Sequence, residues 1–151
     1  MNHALDDADR RILQALARHG RLSNIELAAR LPLSHSAISR RISRLEECGA
    51  IKGYGVSIDP AALGLTIRAF VGVRRDPAAA VETMAEHLRA IAGVAGCWIV
   101  TGEHDFLLDV RAADMAALSS LLLNGIQKVK GVVSTVSTFV LADLSADGLS
   151  P

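Results

Sequence analysis

From Leu5 to His19 the apolar positions Ala8, Ile12, Leu13 and Leu16 recur at helical spacing, and Gly20 stands where such a helix would stop. Ser23, with Glu26 three residues on, predicts a capping box opening a short second helix whose apolar face is Leu27, Ala28 and Leu31. Pro32 cannot continue that helix, and Ser34 is placed to cap a third one. The third helix carries only a narrow apolar seam of Ile38, Ile42 and Leu45. Two short helices joined across so tight a turn form a helix-turn-helix.

The period then changes. Ile51 to Ile58 alternates enough to predict a strand, and the turn-rich DPAALGL after it marks a hinge. Beyond the hinge a unit occurs twice. Asp76 precedes a helical stretch with Val81, Met84, Leu88 and Ile91 that ends at Gly93-Val94; Asp114 precedes one with Leu122, Ile126 and Val129 that ends at Gly131-Val132. Met84 matches Leu122, Leu88 matches Ile126 and Ile91 matches Val129 at one constant offset. Strand-like segments flank each helix: Ile67 to Arg74 and Val94 to Thr101, then Phe106 to Ala112 and Val132 to Leu141. The order βαββαβ is the ferredoxin-like arrangement, which makes the whole chain α+β. Two helices cover only one face of such a sheet. The other face, with Leu107 and either Phe139 or Val140, reads as too apolar to meet water, so homodimerisation through it is expected. The boundaries expected are 1–52 for the helix-turn-helix domain, 53–64 for a strand and hinge linker, and 65–151 for the second domain.

Composition changes the picture only where it is uneven. Half of the 151 residues are apolar, which excludes a disordered tail, and no apolar run reaches the ~18 residues of a membrane span. The start, MNHALDDADRR, lacks the pattern of a signal peptide, so a cytoplasmic protein without a membrane partner is expected. Cys48 and Cys97 show no C-x-x-C spacing, and neither a metal site nor a cofactor is expected. Net charge is zero, yet Arg18 to Lys52 holds seven basic residues against three acids, whereas from residue 61 onward acids outnumber bases nine to seven. A local basic footprint is what phosphate contact requires.

That footprint gives the polar side of the third helix a use. In a helix-turn-helix the second helix of the motif lies in the major groove, where its N-terminal side chains meet base edges. His35, Ser36, Ser39 and Arg40 are therefore expected to face bases of double-stranded DNA, with Arg21, Arg41 and Arg44 as phosphate clamps. Ser34, at the head of the helix, completes the expected DNA-binding set. A face kept polar merely for solubility would mix both charge signs; here the acids wait until Glu46 and Glu47.

The opening LDDADRRIL, the R-x-S-x-x-E-L-A spacing from Arg21 to Ala28, Leu33-Ser34 and R-I-x-x-L-E-x-x-G from Arg41 to Gly49 resemble the DNA-binding half of the Lrp/AsnC regulators. Pro32 departs from the pattern, standing where such regulators usually carry glycine. The resemblance covers nearly the whole chain. It implies an N-terminal winged helix-turn-helix domain, a C-terminal ferredoxin-like domain that senses a ligand and oligomerises, and an amino acid bound at the subunit interface. It also implies dimers that commonly assemble further into octamers. The family's marker in the second half, a strand followed by T/S-G-x-x-D and another strand, reads here as VTGEHDFLL. It assigns effector binding to Thr101, Gly102, Glu103, His104 and Asp105. Chemically the place suits a zwitterion, with backbone N–H groups at Gly102 for a carboxylate and Asp105 for an ammonium. On spacing alone the same stretch also reads as a hairpin whose Gly supplies a positive φ and whose Asp caps its own turn.

Other residues carry less. Trp98 has no second aromatic beside it and reads as packing, and His87 near Glu82 and Glu86 is no ligand set. Ser134, Thr135, Ser137 and Thr138 form an ordinary polar strand that the resemblance places beside the effector cleft. A rival class is an enzyme, since sirohaem decarboxylases are similar to this family in both halves. Their tetrapyrrole needs several basic groups around one large pocket, whereas His3, His19, His35, His87 and His104 are scattered. No catalytic residue is assigned.

Overall fold

The structure, a computed structural model, describes residues 4–144. Residues 1–3 and 145–151, the outer ends of the two expected domains, lie outside the described residues. The chain divides into two compact units that part between Ser57 and Ile58.

The first unit holds α1 (Asp7–Arg18), α2 (Asn24–Arg30) and α3 (His35–Glu47). Each begins where a side-chain oxygen accepts from a backbone N–H in its first turn. Asp6 accepts from Asp9 N and Asp9 reciprocates; Ser23 and Glu26 form the second capping box; Ser34 accepts from Ala37 N at 3.2 Å. Pro32 fits the turn because Leu31 before it is extended (φ −120°, ψ 143°), the conformation a following proline favours. Leu33 N then donates to Leu31 O at 2.7 Å, closing a three-residue turn around the proline. Ile12, Leu27, Ile38 and Leu45 are fully buried where the three helices meet, with Ile42 partly buried beside them.

The segment 51–58 departs from its pattern. It forms no strand, and Tyr54, Val56 and Ile58 are exposed. Alternation supplies the side chains of a strand; a strand also needs a neighbour to hydrogen-bond, and none of the described residues offers one here.

The second unit is the ferredoxin-like fold. β1 (Ile67–Arg75), α4 (Val81–Arg89), β2 (Val94–Ile99), β3 (Phe106–Ala112), α5 (Met115–Ser120) and β4 (Val132–Phe139) build an antiparallel sheet in the order β2-β3-β1-β4. Ala69, Val71, Val73, Phe106, Leu108 and Val110 alternate onto the helix side and are buried against Met84, Leu88, Leu118 and Ile126. The internal repeat is visible in the backbone. Gly93 and Gly131, at matching places, both have φ 95°, which favours glycine at each return to a strand. The helices diverge more than the repeat suggests. Asp114 caps α5, but Asp76 caps the turn at Ala78, and α4 starts later, at Val81, behind an uncapped Ala80. After Ser120, α5 widens into a π turn, Leu121–Gly125, and then a 3-10 turn, Ile126–Lys128, which still delivers Ile126 to the core.

The open face of the sheet corrects the expectation of a purely apolar surface. Cross-strand partners share a face, so Trp98 and Leu107 stand there together, while Phe139 pairs with Ala69 on the helix side. The same open face carries an ionic cluster. The Arg68 guanidinium donates to both oxygens of Asp109, at 3.1 and 2.8 Å, and lies 5.0 Å from the Phe70 ring centroid; Arg111 approaches Asp109 from the other side at 3.2 Å. Sequence parity located the face but not the pairing across it.

Candidate DNA interface and effector groove

On α3 the seam of Ile38, Ile42 and Leu45 turns inward, which leaves His35, Ser36 and Arg40 exposed and Ser39 half-buried on the outer side. Ser34 Oγ, besides capping, lies 3.2 Å from Ser36 Oγ. Arg21 is exposed on the turn after α1. Neither Arg21 nor Arg40 has an ion-pair partner among the described residues. Two hydroxyls, an imidazole and an unpaired guanidinium on the outer side of α3 are suited to meeting base edges and phosphates.

Arg41 and Arg44 are placed differently from the expected clamps. Arg41 Nη1 donates to Asp6 Oδ2 at 2.7 Å and to Asp9 Oδ1 at 2.8 Å, and Arg44 Nη2 donates to Asp9 Oδ2. Asp9 is completely buried. The backbone N–H of Asp9 and the Arg41 guanidinium together lower the Asp6 pKa to about 2. Sequence reasoning missed both aspartates as partners of α3. D-x-x-D at a helix start reads as a capping box, and it is one; the second use of the same oxygens is a tertiary contact that no local pattern displays.

In the second unit the turn between β2 and β3 is fixed from three sides. Val100 N donates to Asp105 O at 3.0 Å, Asp105 N donates to Val73 O at 2.9 Å, and Gly102 has φ 110°. The Asp105 carboxylate accepts from Arg75 N at 2.9 Å and faces Arg75 Nε at 3.4 Å. Arg75 Nη1 in turn donates to the carbonyls of Asp76, Pro77 and Ala79, so one side chain fastens the turn to the start of the α4 connection. His104 lays its ring on Gly72, where a Cβ would fall 2.6 Å from the ring's Cγ and Nε2, and its Nδ1 is buried without a partner among the described residues. Gly102, Glu103, His104 and Asp105 line one groove of about 690 Å³ together with Arg74, Arg75, Pro77, Val133, Ser134 and Val136. Thr101 is exposed outside that lining, and Thr135, expected near the cleft, instead accepts from Gln127 at 3.1 Å. The two arginines of β1 were not singled out from the sequence; strand pairing brings them there.

A capped helix-turn-helix with an unpaired cationic face, followed by a ferredoxin-like unit with a polar groove, defines a two-part DNA-binding regulator. Comparison with known proteins agrees over both parts. The family described as Lrp/AsnC ligand binding domain matches residues 68–149, and winged helix-turn-helix DNA-binding matches residues 5–52. The chain is 38% identical to the HTH-type transcriptional regulator LrpA of Mycobacterium tuberculosis over 97% of each chain. It is 34% identical to the leucine-responsive regulatory protein of Rhizobium meliloti, over 90% of this chain and 88% of that one. A transcriptional regulator of Neisseria meningitidis, solved as an L-Met complex, superposes with a TM-score of 0.90 at 36% identity, covering 95% of this chain and 94% of that one. The chain therefore belongs to the Lrp/AsnC family and is a DNA-binding transcription regulator of that type. Among the described residues no helix is long and apolar enough to cross a membrane.

Proposed function

We propose that α3 reads double-stranded DNA with His35, Ser36, Ser39 and Arg40 at base edges, while Arg21 and Ser34 hold phosphates beside it. The groove at Gly102, Glu103, His104 and Asp105, with Thr101 at its rim, takes an amino acid or a similar small molecule between subunits. Those subunits pair through the open sheet face and assemble to a higher even-numbered oligomer such as an octamer, in the cytoplasm, with binding rather than catalysis as the output. The observation that carries the DNA half is the unpaired Arg40 on the exposed face of a capped, seam-anchored helix. Supporting the effector half, similar regulators of N. meningitidis and M. tuberculosis were solved with L-methionine. Asp105 already accepts from Arg75, so an ammonium would meet the lone pairs that remain, beside Gly102.

Two measurements test this. Affinity for duplex DNA is followed against salt: the one guanidinium held to phosphate in each subunit, Arg21, gives a dimer a slope of log K against log salt of about −1.8 or steeper, and a slope near zero removes the interface. Assembly size is followed by ultracentrifugation against the common amino acids, in the wild type and in Asp105→Ala. An effector shifts assembly only through its differential affinity for two states, so Asp105→Ala is expected to keep DNA binding and lose the response. A mutant that responds with unchanged affinity moves the sensing site elsewhere.

A further inference from the structure

The first unit buries one charged side chain completely, Asp9, and surrounds it with cations from the DNA-contact helix. A buried carboxylate is tolerated only when its charge is matched and its oxygens are hydrogen-bonded. Both conditions are met: Oδ1 takes Arg41, and Oδ2 takes Arg44 together with the backbone N–H of Asp6. Asp6 adds a second acceptor to Arg41, so two carboxylates balance two guanidiniums. On the same helix Arg40 faces outward with no such partner among the described residues.

We infer that Asp9, assisted by Asp6, is the positioning residue of the DNA-binding unit: it acts as an internal stand-in for a phosphate, holding Arg41 and Arg44 against α1 and away from the DNA backbone. The inference rests on α3 being the helix that meets DNA. A DNA phosphate that drew Arg41 off Asp9 would leave a buried charge half-compensated, whereas Arg40 loses only its hydration on meeting DNA. The arrangement has two consequences. It fixes the tilt of α3 by two directional ion pairs, where a seam of three aliphatic side chains alone would leave freedom to roll. It also trims the sequence-independent part of the affinity, because each guanidinium kept off a phosphate removes one released counterion, and so raises the share of binding that depends on the bases read by Arg40, Ser36 and Ser39.

The test uses the full chain, a random duplex, and a duplex selected from a random pool by the wild type. Asp9→Asn keeps the shape and removes the charge. It is expected to bind the random duplex more tightly, to steepen the salt slope by about 0.9 for each arginine freed per subunit, and to lower the selected-over-random ratio at least tenfold. A merely structural Asp9 would instead weaken both duplexes together with the slope unchanged, and that result overturns the inference. Should Asp9→Asn not fold, as judged by circular dichroism, Arg41→Gln decides alone, since Asp9 keeps Arg44 there. An unchanged salt slope supports the masking of Arg41; a slope flatter by about 0.9 per subunit shows Arg41 on a phosphate and ends the proposal. Arg40→Ala serves as the separate control for the interface itself: if it changes neither slope nor ratio, the reading of Arg40 fails, while the role of Asp9 is decided by its own variants.

Discussion

The two units of this chain stabilise themselves in different ways. Each unit buries one carboxylate, Asp9 in the first and Asp109 in the second, but the helix-turn-helix unit fully buries only four aliphatic side chains, whereas the sheet unit buries eleven apolar side chains in one cluster. With only four side chains fully buried among three short helices, directional contacts add to the packing: three side-chain caps and the ion pairs of Asp6 and Asp9 with Arg41 and Arg44. In the sheet unit alternation along four strands carries the packing, and Arg68 with Asp109 adds an ion pair between β1 and β3 on the open face. In the small unit ion pairs tie helix to helix; in the large one they tie strand to strand and fasten a turn, on top of a larger apolar core.

The comparison breaks most visibly under core truncation. Leu108→Ala, in the centre of the sheet, is expected to cost about 2–5 kcal/mol, a loss the larger cluster absorbs without losing its fold. Ile38→Ala removes as much from a core of four and is expected to unfold the first unit and abolish DNA binding, while the assembly formed by the second unit persists. Calorimetry of the two variants checks this through the separate movement of two transitions. A single transition that shifts alike in both would show that the units stand or fall together.

A smaller effect probes the groove. At Gly72 a methyl group would fall into the His104 ring, so Gly72→Ala must drive the imidazole off the strand, and overpacking of this kind costs about 1–3 kcal/mol. Shortening the ring as well, in Gly72→Ala with His104→Ala, is expected to recover most of that loss in urea denaturation. If the double variant is no more stable than Gly72→Ala, the contact between ring and glycine is not what the substitution disturbs.

What was legible in the sequence follows the same division. Caps and alternation are local, so the starts of α2 and α3 and the span of Phe106–Ala112 could be read directly, and the doubled unit announced the βαββαβ order of the sheet domain. The strand expected over 51–58 failed because its pattern needs a neighbour that the described residues do not supply. Asp76 precedes α4 without capping it: four residues separate the two, and Arg75 donates to the carbonyl of Ala79 within that connection. Four of the five expected effector residues line one groove, but the arginines beside them come from β1 by strand pairing. Arg41 and Arg44 show the limit most clearly. Composition and helical spacing treat them like Arg40, and only the fold reveals that a buried aspartate holds them.

The smallest effect lies in the titration of Asp6, and it separates capping from ion pairing. Its pKa falls from the ordinary 3.8 to about 2, chiefly because the backbone N–H of Asp9 donates to it and next because Arg41 does. A folded pKa below the unfolded one means that the stabilisation is fully present above about pH 4 and is lost as the pH falls through about 2. The Asp6 contacts are therefore expected to survive a mildly acidic buffer unchanged. Carboxyl-carbon resonances followed by NMR should place the Asp6 midpoint near 2 in the wild type. In Arg41→Gln the midpoint should rise yet stay below 3.8, because the cap remains when the guanidinium is gone. A wild-type midpoint at the ordinary value would remove both contacts. A rise all the way to that value in Arg41→Gln would make the ion pair, not the cap, the larger cause, and would shift the balance of the first unit further towards its charges.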